Sequence, residues 1–206
     1  MLADILGLLS IIIVILLLKR FVNIFPSLMA CTIRWKESIN LEASVKHSLD
    51  RDMLAAAMIL PFCLVADEFR LYSPRFMDGL GDNAHLAAVI GICAAYCIIR
   101  TLISKMLHPH KMNPKIWKTA GRSSFTFFII LTLVLLAMGG IMRFAGIDPL
   151  FTRNAMLCVS AFIYALFLLR KFQIFISGGS FFTGFLYLCA LEIIPTGVLV
   201  ASAVFF

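Results

Sequence analysis

The chain has 206 residues, of which 62% are hydrophobic and only 14% charged, and a formal net charge of +7. A soluble domain carries about 25% charged and 45–50% apolar residues, so a disordered chain, an ordinary nucleic-acid-binding domain and a water-soluble enzyme are excluded. At a mean hydropathy of +1.00, the chain is better counted in membrane spans of about 20 residues each.

The first apolar run, residues 2–18, is broken only by Asp4 and followed at once by Lys19 and Arg20. A cleavable signal peptide has its positive charge before the apolar run; the reverse order predicts an uncleaved first helix with its N-terminus outside. Residues 27–52 are polar, with Leu28, Cys31, Trp35, Ile39, Val45 and Leu49 recurring at roughly helical spacing. That pattern fits an amphipathic helix on the inner membrane surface, or equally a plain connecting helix on the bundle. The second span is predicted over 53–72, with Asp67, Glu68 and Arg70 at the outer interface. The third is predicted over 84–103, the fourth over 125–142, the fifth over 155–169 and the sixth over 181–206.

Charge decides whether the short second run crosses. With six spans, fourteen of the Lys and Arg residues fall inside, against Arg70, Arg75, Arg143 and Arg153 outside. Without that crossing, the basic residues divide almost evenly between the two sides, ten against eight. Lys and Arg collect on the cytoplasmic side, so the sequence predicts an all-α integral membrane protein of six spans, N-out and C-out. It forms a single domain over 1–206, with neither a fixed-period repeat nor a linker. Ala87, Gly91 and Ala95 recur every four positions on the third span, a small-residue pattern that lets helices approach closely.

Glu192 is the acid deep inside a predicted span, near the middle of the last one. A charge there is costly, so such a group faces protein and finds a partner or stays protonated. Pro195 follows three residues later; proline removes a donor and crowds the carbonyl four positions back, that of Leu191. An ionisable group beside a kink and a free acceptor marks either a proton or ion site or a structural bond to another helix, and the structural alternative is favoured.

The run from Phe185 to Pro195, Phe-Leu-Tyr-Leu-Cys-Ala-Leu-Glu-Ile-Ile-Pro, resembles the C-terminal signature of a family of small polytopic bacterial inner-membrane proteins classed as a domain of unknown function. Leu186, Tyr187, Leu188, Cys189, Leu191, Glu192, Ile193 and Pro195 carry the match. The resemblance implies location in a bacterial inner membrane and singles out Tyr187, Cys189, Glu192 and Pro195, but supplies no activity, substrate or cofactor.

Other constellations are weaker. Asp67, Glu68, Asp78 and Asp82 crowd the outer loop between spans two and three, where carboxylates serve acid–base chemistry or a divalent ion, or more commonly end helices as interfacial ion pairs. Lys105, Lys111, Lys115, Lys118 and Arg122 form a basic inner stretch without an acid, suited to anionic lipid headgroups or an acidic partner. Cys93 and Cys97 share a helix face, but no further ligand completes a metal set. His47, His85, His108 and His110 offer no facing pair for haem. No metal, cofactor or catalytic motif is expected. The leading expectation is a non-enzymatic membrane subunit or assembly factor, surrounded by lipid and packed against other integral membrane proteins. A proton- or ion-conducting protein using Glu192 comes second, and a lipid-active enzyme at the outer acidic residues third.

Overall fold

The computed structural model describes residues 2–74, 77, 79–106, 114–178 and 181–205. Among them every regular element is a helix: α1 (Leu2–Ile33), α2 (Trp35–Ala43), α3 (Val45–Glu68), α4 (Asp82–Met106), α5 (Pro114–Phe144), α6 (Pro149–Ser177), α7 (Phe181–Leu188) and α8 (Ile194–Phe205), with a π-helical turn, Cys189–Ile193, joining the last two. Five stretches are long and apolar enough to cross a membrane: Ala3–Ile33, Asp82–Met106, Lys115–Phe144, Pro149–Ser177 and Phe181–Ala203. The chain is therefore a helical bundle of the multi-pass membrane type. Large apolar side chains cover its outside, among them Ile5, Leu8 and Leu16 on α1, Ile98 and Leu102 on α4, and Phe162 and Leu169 on α6. In water such a surface would be untenable; in hydrocarbon it costs nothing.

The helices run past the apolar runs that reveal them. Helix α1 continues through Lys19 and Arg20 and across Pro26 to Ile33. The expected amphipathic segment 27–52 is divided: its first part completes α1, α2 forms its middle, and its end opens α3. The second predicted span corresponds to α3, which starts earlier and stops at Glu68, because Arg70 turns the chain with φ 45°.

Helices α3 and α5 lie at the centre. Leu54, Ala55 and Met58 of α3 pack with Ile24, Leu28 and Cys31 of α1 and with Ile129 and Ile130 of α5. One layer further along, Val65 of α3 meets Leu135 of α5 and Met156 of α6. Gly139 of α5 permits the Phe69 ring to approach, since a Cβ there would lie 2.8 Å from its Cε2 atom. Cys63 and Ala66 of α3 pack against Val89 of α4. Central position explains why α3 is less apolar than its neighbours: its polar first turns are matched by protein groups.

Those turns hold an ion-pair network that fastens α2. The Arg51 side chain is 2% exposed and donates to Glu42 at 3.1 Å and Asp52 at 2.8 Å. Arg122 of α5 donates to Glu42 at 2.8 Å and to Ser48 at 2.7 Å, and Lys118 lies 3.2 Å from Glu42. Arg20 of α1 reaches Asp50 at 3.0 Å. Arg170 of α6 donates to the carbonyls of Thr32 and Ile33 at 2.9 and 2.7 Å, capping the C-terminal end of α1.

Burial works to raise the Glu42 pKa, but bonding and attraction from Arg51, Lys118 and Arg122 outweigh it and hold the carboxyl below its ordinary value of 4.5. A depressed folded-state pKa gives stability that is present above the unfolded value and lost as pH falls through the folded one. Protection of the α2 backbone amides, taken relative to the intrinsic exchange rate at each pH, should therefore fall once pH drops below that ordinary carboxylate value. E42Q should exchange faster at neutral pH and show a smaller acid step. Equal α2 protection in E42Q and the natural chain at neutral pH would refute the anchoring role.

Candidate functional site

The site grows out of the irregular last helix. Pro195 has no N–H to give, and the chain accommodates it with the π turn, in which the Ile194 N–H donates to the Cys189 carbonyl five residues back. Such turns insert one residue and redirect the side chains around them. Here the turn brings Glu192 into the bundle, 2% exposed. The sequence singles out the Leu191 carbonyl as the freed acceptor; the carbonyl that receives a side-chain donor is that of Glu192, from the Tyr164 hydroxyl at 3.0 Å. Pro195 itself is buried. Tyr187 packs edge-on against Trp117 at 5.4 Å between ring centres, joining a core layer with Phe175. Cys189 is a partly buried free thiol at the start of the turn.

Two cations meet the Glu192 carboxylate on the same oxygen, Oε1. Arg100 of α4 donates through Nη2 at 2.5 Å, and Lys171 of α6 through its ammonium. The Lys171 side chain is 2% exposed, that of Arg100 22%. The Lys171 ammonium also faces the rings of Phe167 and Phe175, at 5.5 and 5.8 Å from their centres, which offers further electrostatic compensation. Around this core, the Tyr96 and Thr196 hydroxyls bond at 3.0 Å. The last helix is thereby tied to both α4 and α6.

The sequence alone counts Arg100 and Lys171 among the fourteen basic residues on the inner side and does not show that they turn into the bundle. Signals of their depth are present nonetheless. Arg100 falls inside the apolar run 84–103, and Lys171 is followed by Phe172, Ile174, Phe175 and Ile176, an apolar continuation that extends α6 to Ser177.

The outer acidic residues separate. Asp67 lies 2.5 Å from Nδ1 of the buried His85, linking α3 to α4, while Glu68 accepts from Arg143 of α5 at 2.8 Å. His85 Nε2 is buried with no hydrogen-bond partner. Asp82 is exposed in the first turn of α4. The Tyr72 and Ser202 hydroxyls bond at 2.7 Å, joining this end to α8. Among the described residues no group of three or more His, Cys, Asp or Glu is placed to hold a metal ion. Of the basic residues in this stretch, Lys118 and Arg122 engage Glu42, and Lys105, Lys115 and Lys118 are exposed. Arg75, Asp78, His108, His110 and Lys111 lie outside the described residues.

Two cations on one buried carboxylate make the three side chains unequal. Removing the anion leaves two cations in low dielectric, a break of the kind that costs about 3–5 kcal/mol. Removing Lys171 leaves a balanced pair. In thermal unfolding of the detergent-solubilised protein, E192L should be strongly destabilised and K171M close to neutral, with methionine filling the space between Phe167 and Phe175. The opposite order would show that Lys171, not Glu192, is the required member.

Compared with family models, curated proteins and solved structures, the chain finds no match.

Proposed function

We propose that the protein is a six-span, N-out and C-out bundle of a bacterial inner membrane that serves as a non-enzymatic subunit or assembly factor, packing against other integral membrane proteins. Helix α3, with its 24 residues, would span about 36 Å and is the remaining crossing; the inward excess of Lys and Arg supports this topology. The motif from Leu186 to Pro195 supports the inner-membrane location by resemblance.

One observation carries the subunit reading. Ala87, Gly91 and Ala95 are exposed along the outer face of α4, opposite the face that carries His85, Val89, Tyr96 and Arg100. A Cβ added at Gly91 would meet nothing within 4 Å. Small residues that do not serve packing within the bundle leave a shallow face on which a neighbouring transmembrane helix can approach closely. G91L should therefore leave the isolated protein as stable as the natural chain, yet remove it from its membrane complex in native mass spectrometry of gently solubilised membranes. A G91L chain that remains in a complex of unchanged mass, or a natural chain with no partner at all, would overturn the reading.

A second reading, proton conduction through Glu192, is favoured by the hydroxyl pairs Tyr96–Thr196 and Tyr72–Ser202 along the α4–α8 side of the bundle. In that case E192D, which keeps a titratable carboxylate, would complement a deletion strain, whereas E192Q would fail even when its folded yield is matched to that of E192D, because Gln does not titrate.

The topology has its own test. In a cysteine-free background, G81C should react with an impermeant thiol reagent added from outside, and K115C should react only after the membrane is permeabilised. Reversed accessibility would exclude the six-span arrangement.

A further inference from the structure

We propose that Arg100 holds the phosphate of an anionic phospholipid at the surface of α4, and that this lipid supplies the negative charge the buried cluster lacks. Among the described residues, Glu192 is the one carboxylate within ion-pair distance of Arg100 and Lys171. Two cations and one anion leave a surplus positive charge inside the bundle, where uncompensated charge is costly. The surplus is not shared equally. Lys171 is enclosed, and aromatic faces at 5.5 and 5.8 Å complement its ammonium. Arg100 is the member open to the surroundings, 22% exposed, and its guanidinium makes its hydrogen bond to Glu192 through one nitrogen, Nη2.

A guanidinium has five N–H donors arranged in a fork that matches phosphate geometry, so donors remain for a second anion. Depth selects the source of that anion. Arg100 precedes the end of α4 at Met106 by six residues, about 9 Å of helix axis, a distance over which arginine side chains reach toward the headgroup layer. In the proposed topology that end is the inner one. The ligand is a phosphate monoanion on a lipid, with net charge −1, which brings the cluster to neutrality; a zwitterionic headgroup does not.

The test uses the delipidated full-length protein in neutral detergent. Phosphatidylglycerol, phosphatidylcholine with the same acyl chains, and inorganic phosphate are added separately, with retention read by native mass spectrometry and stability by thermal unfolding. The natural chain should retain one phosphatidylglycerol and unfold at higher temperature with it, and should respond to neither of the other additions. R100Q should lose about tenfold in phosphatidylglycerol affinity, the factor carried by a charge-assisted bond. It should still fold, because Lys171 and Glu192 remain as a balanced pair. K171M separates surplus charge from simple arginine contact: it keeps Arg100 but removes the excess charge, and should also bind the lipid more weakly. K118Q, altered in the α2 network, should bind like the natural chain. Equal retention by R100Q, or no preference for phosphatidylglycerol over phosphatidylcholine, overturns the proposal. A response to inorganic phosphate alone assigns the site to a soluble anion instead.

Discussion

The contact on which the far side of the bundle depends is a carboxylate shared by two cations, away from water. Glu192, Arg100 and Lys171 come from three different helices. In a medium that cannot solvate them, none of the three has a comparable alternative. Apolar contacts between transmembrane helices discriminate weakly, because lipid tails are as apolar as leucine. A shared charge discriminates strongly: sliding or rotating the last helix by one residue would leave the enclosed Lys171 and the partly exposed Arg100 without their anion. Register and orientation of that helix against α4 and α6 thus follow from one side chain, and the π turn is the backbone adjustment that delivers it.

Much of this architecture was legible, for physical reasons that can be traced. Apolar runs near the thickness of a bilayer revealed the helices, because lipid tolerates little else. The runs understated helix length, because helices cross the interface into water or protein, where Lys19, Arg20, Trp117 and Arg122 are admissible helix residues. Glu192 was legible since an acid amid apolar residues has few explanations. Its partners were not. Lysine and arginine near a span end look the same whether they set topology or turn inward, and the choice depends on which helix lies beside them. The neighbour relation of α4, α6 and the last helix is tertiary information that periodicity does not hold.

Helix α3 shows the same limit from the other direction. Its opening residues Asp50, Arg51 and Asp52 make it the least apolar of the long helices, yet it is enclosed by the others. A helix enclosed by protein does not need an apolar face toward lipid. It needs each polar group matched, as Arg51 is by Glu42 and Asp52. Hydropathy measures compatibility with lipid and says little about how well a helix enclosed by protein is matched. The acids that the sequence grouped at the outer loop illustrate a related point: Asp67 and Glu68 are adjacent in the chain, but helical geometry sends them about 100° apart, one to His85 and the other to Arg143. Adjacent carboxylates on a helix are therefore poor evidence for a shared site.

Helix α4 gathers these constraints into one element with two unlike faces. Its inner face carries His85, Val89, Tyr96 and Arg100, which together bond to α3, pack on it and bond to the last helix. Its outer face carries Ala87, Gly91 and Ala95, exposed and without bulk. Strong polar bonds on one side fix the rotation of α4, and a fixed rotation keeps the small residues facing outward. Without the ion pair and the Asp67–His85 contact, α4 could turn its alanines and glycine inward, where close helix packing would welcome them. The buried charges thus do more than hold the bundle together: they determine which surface it offers to the membrane.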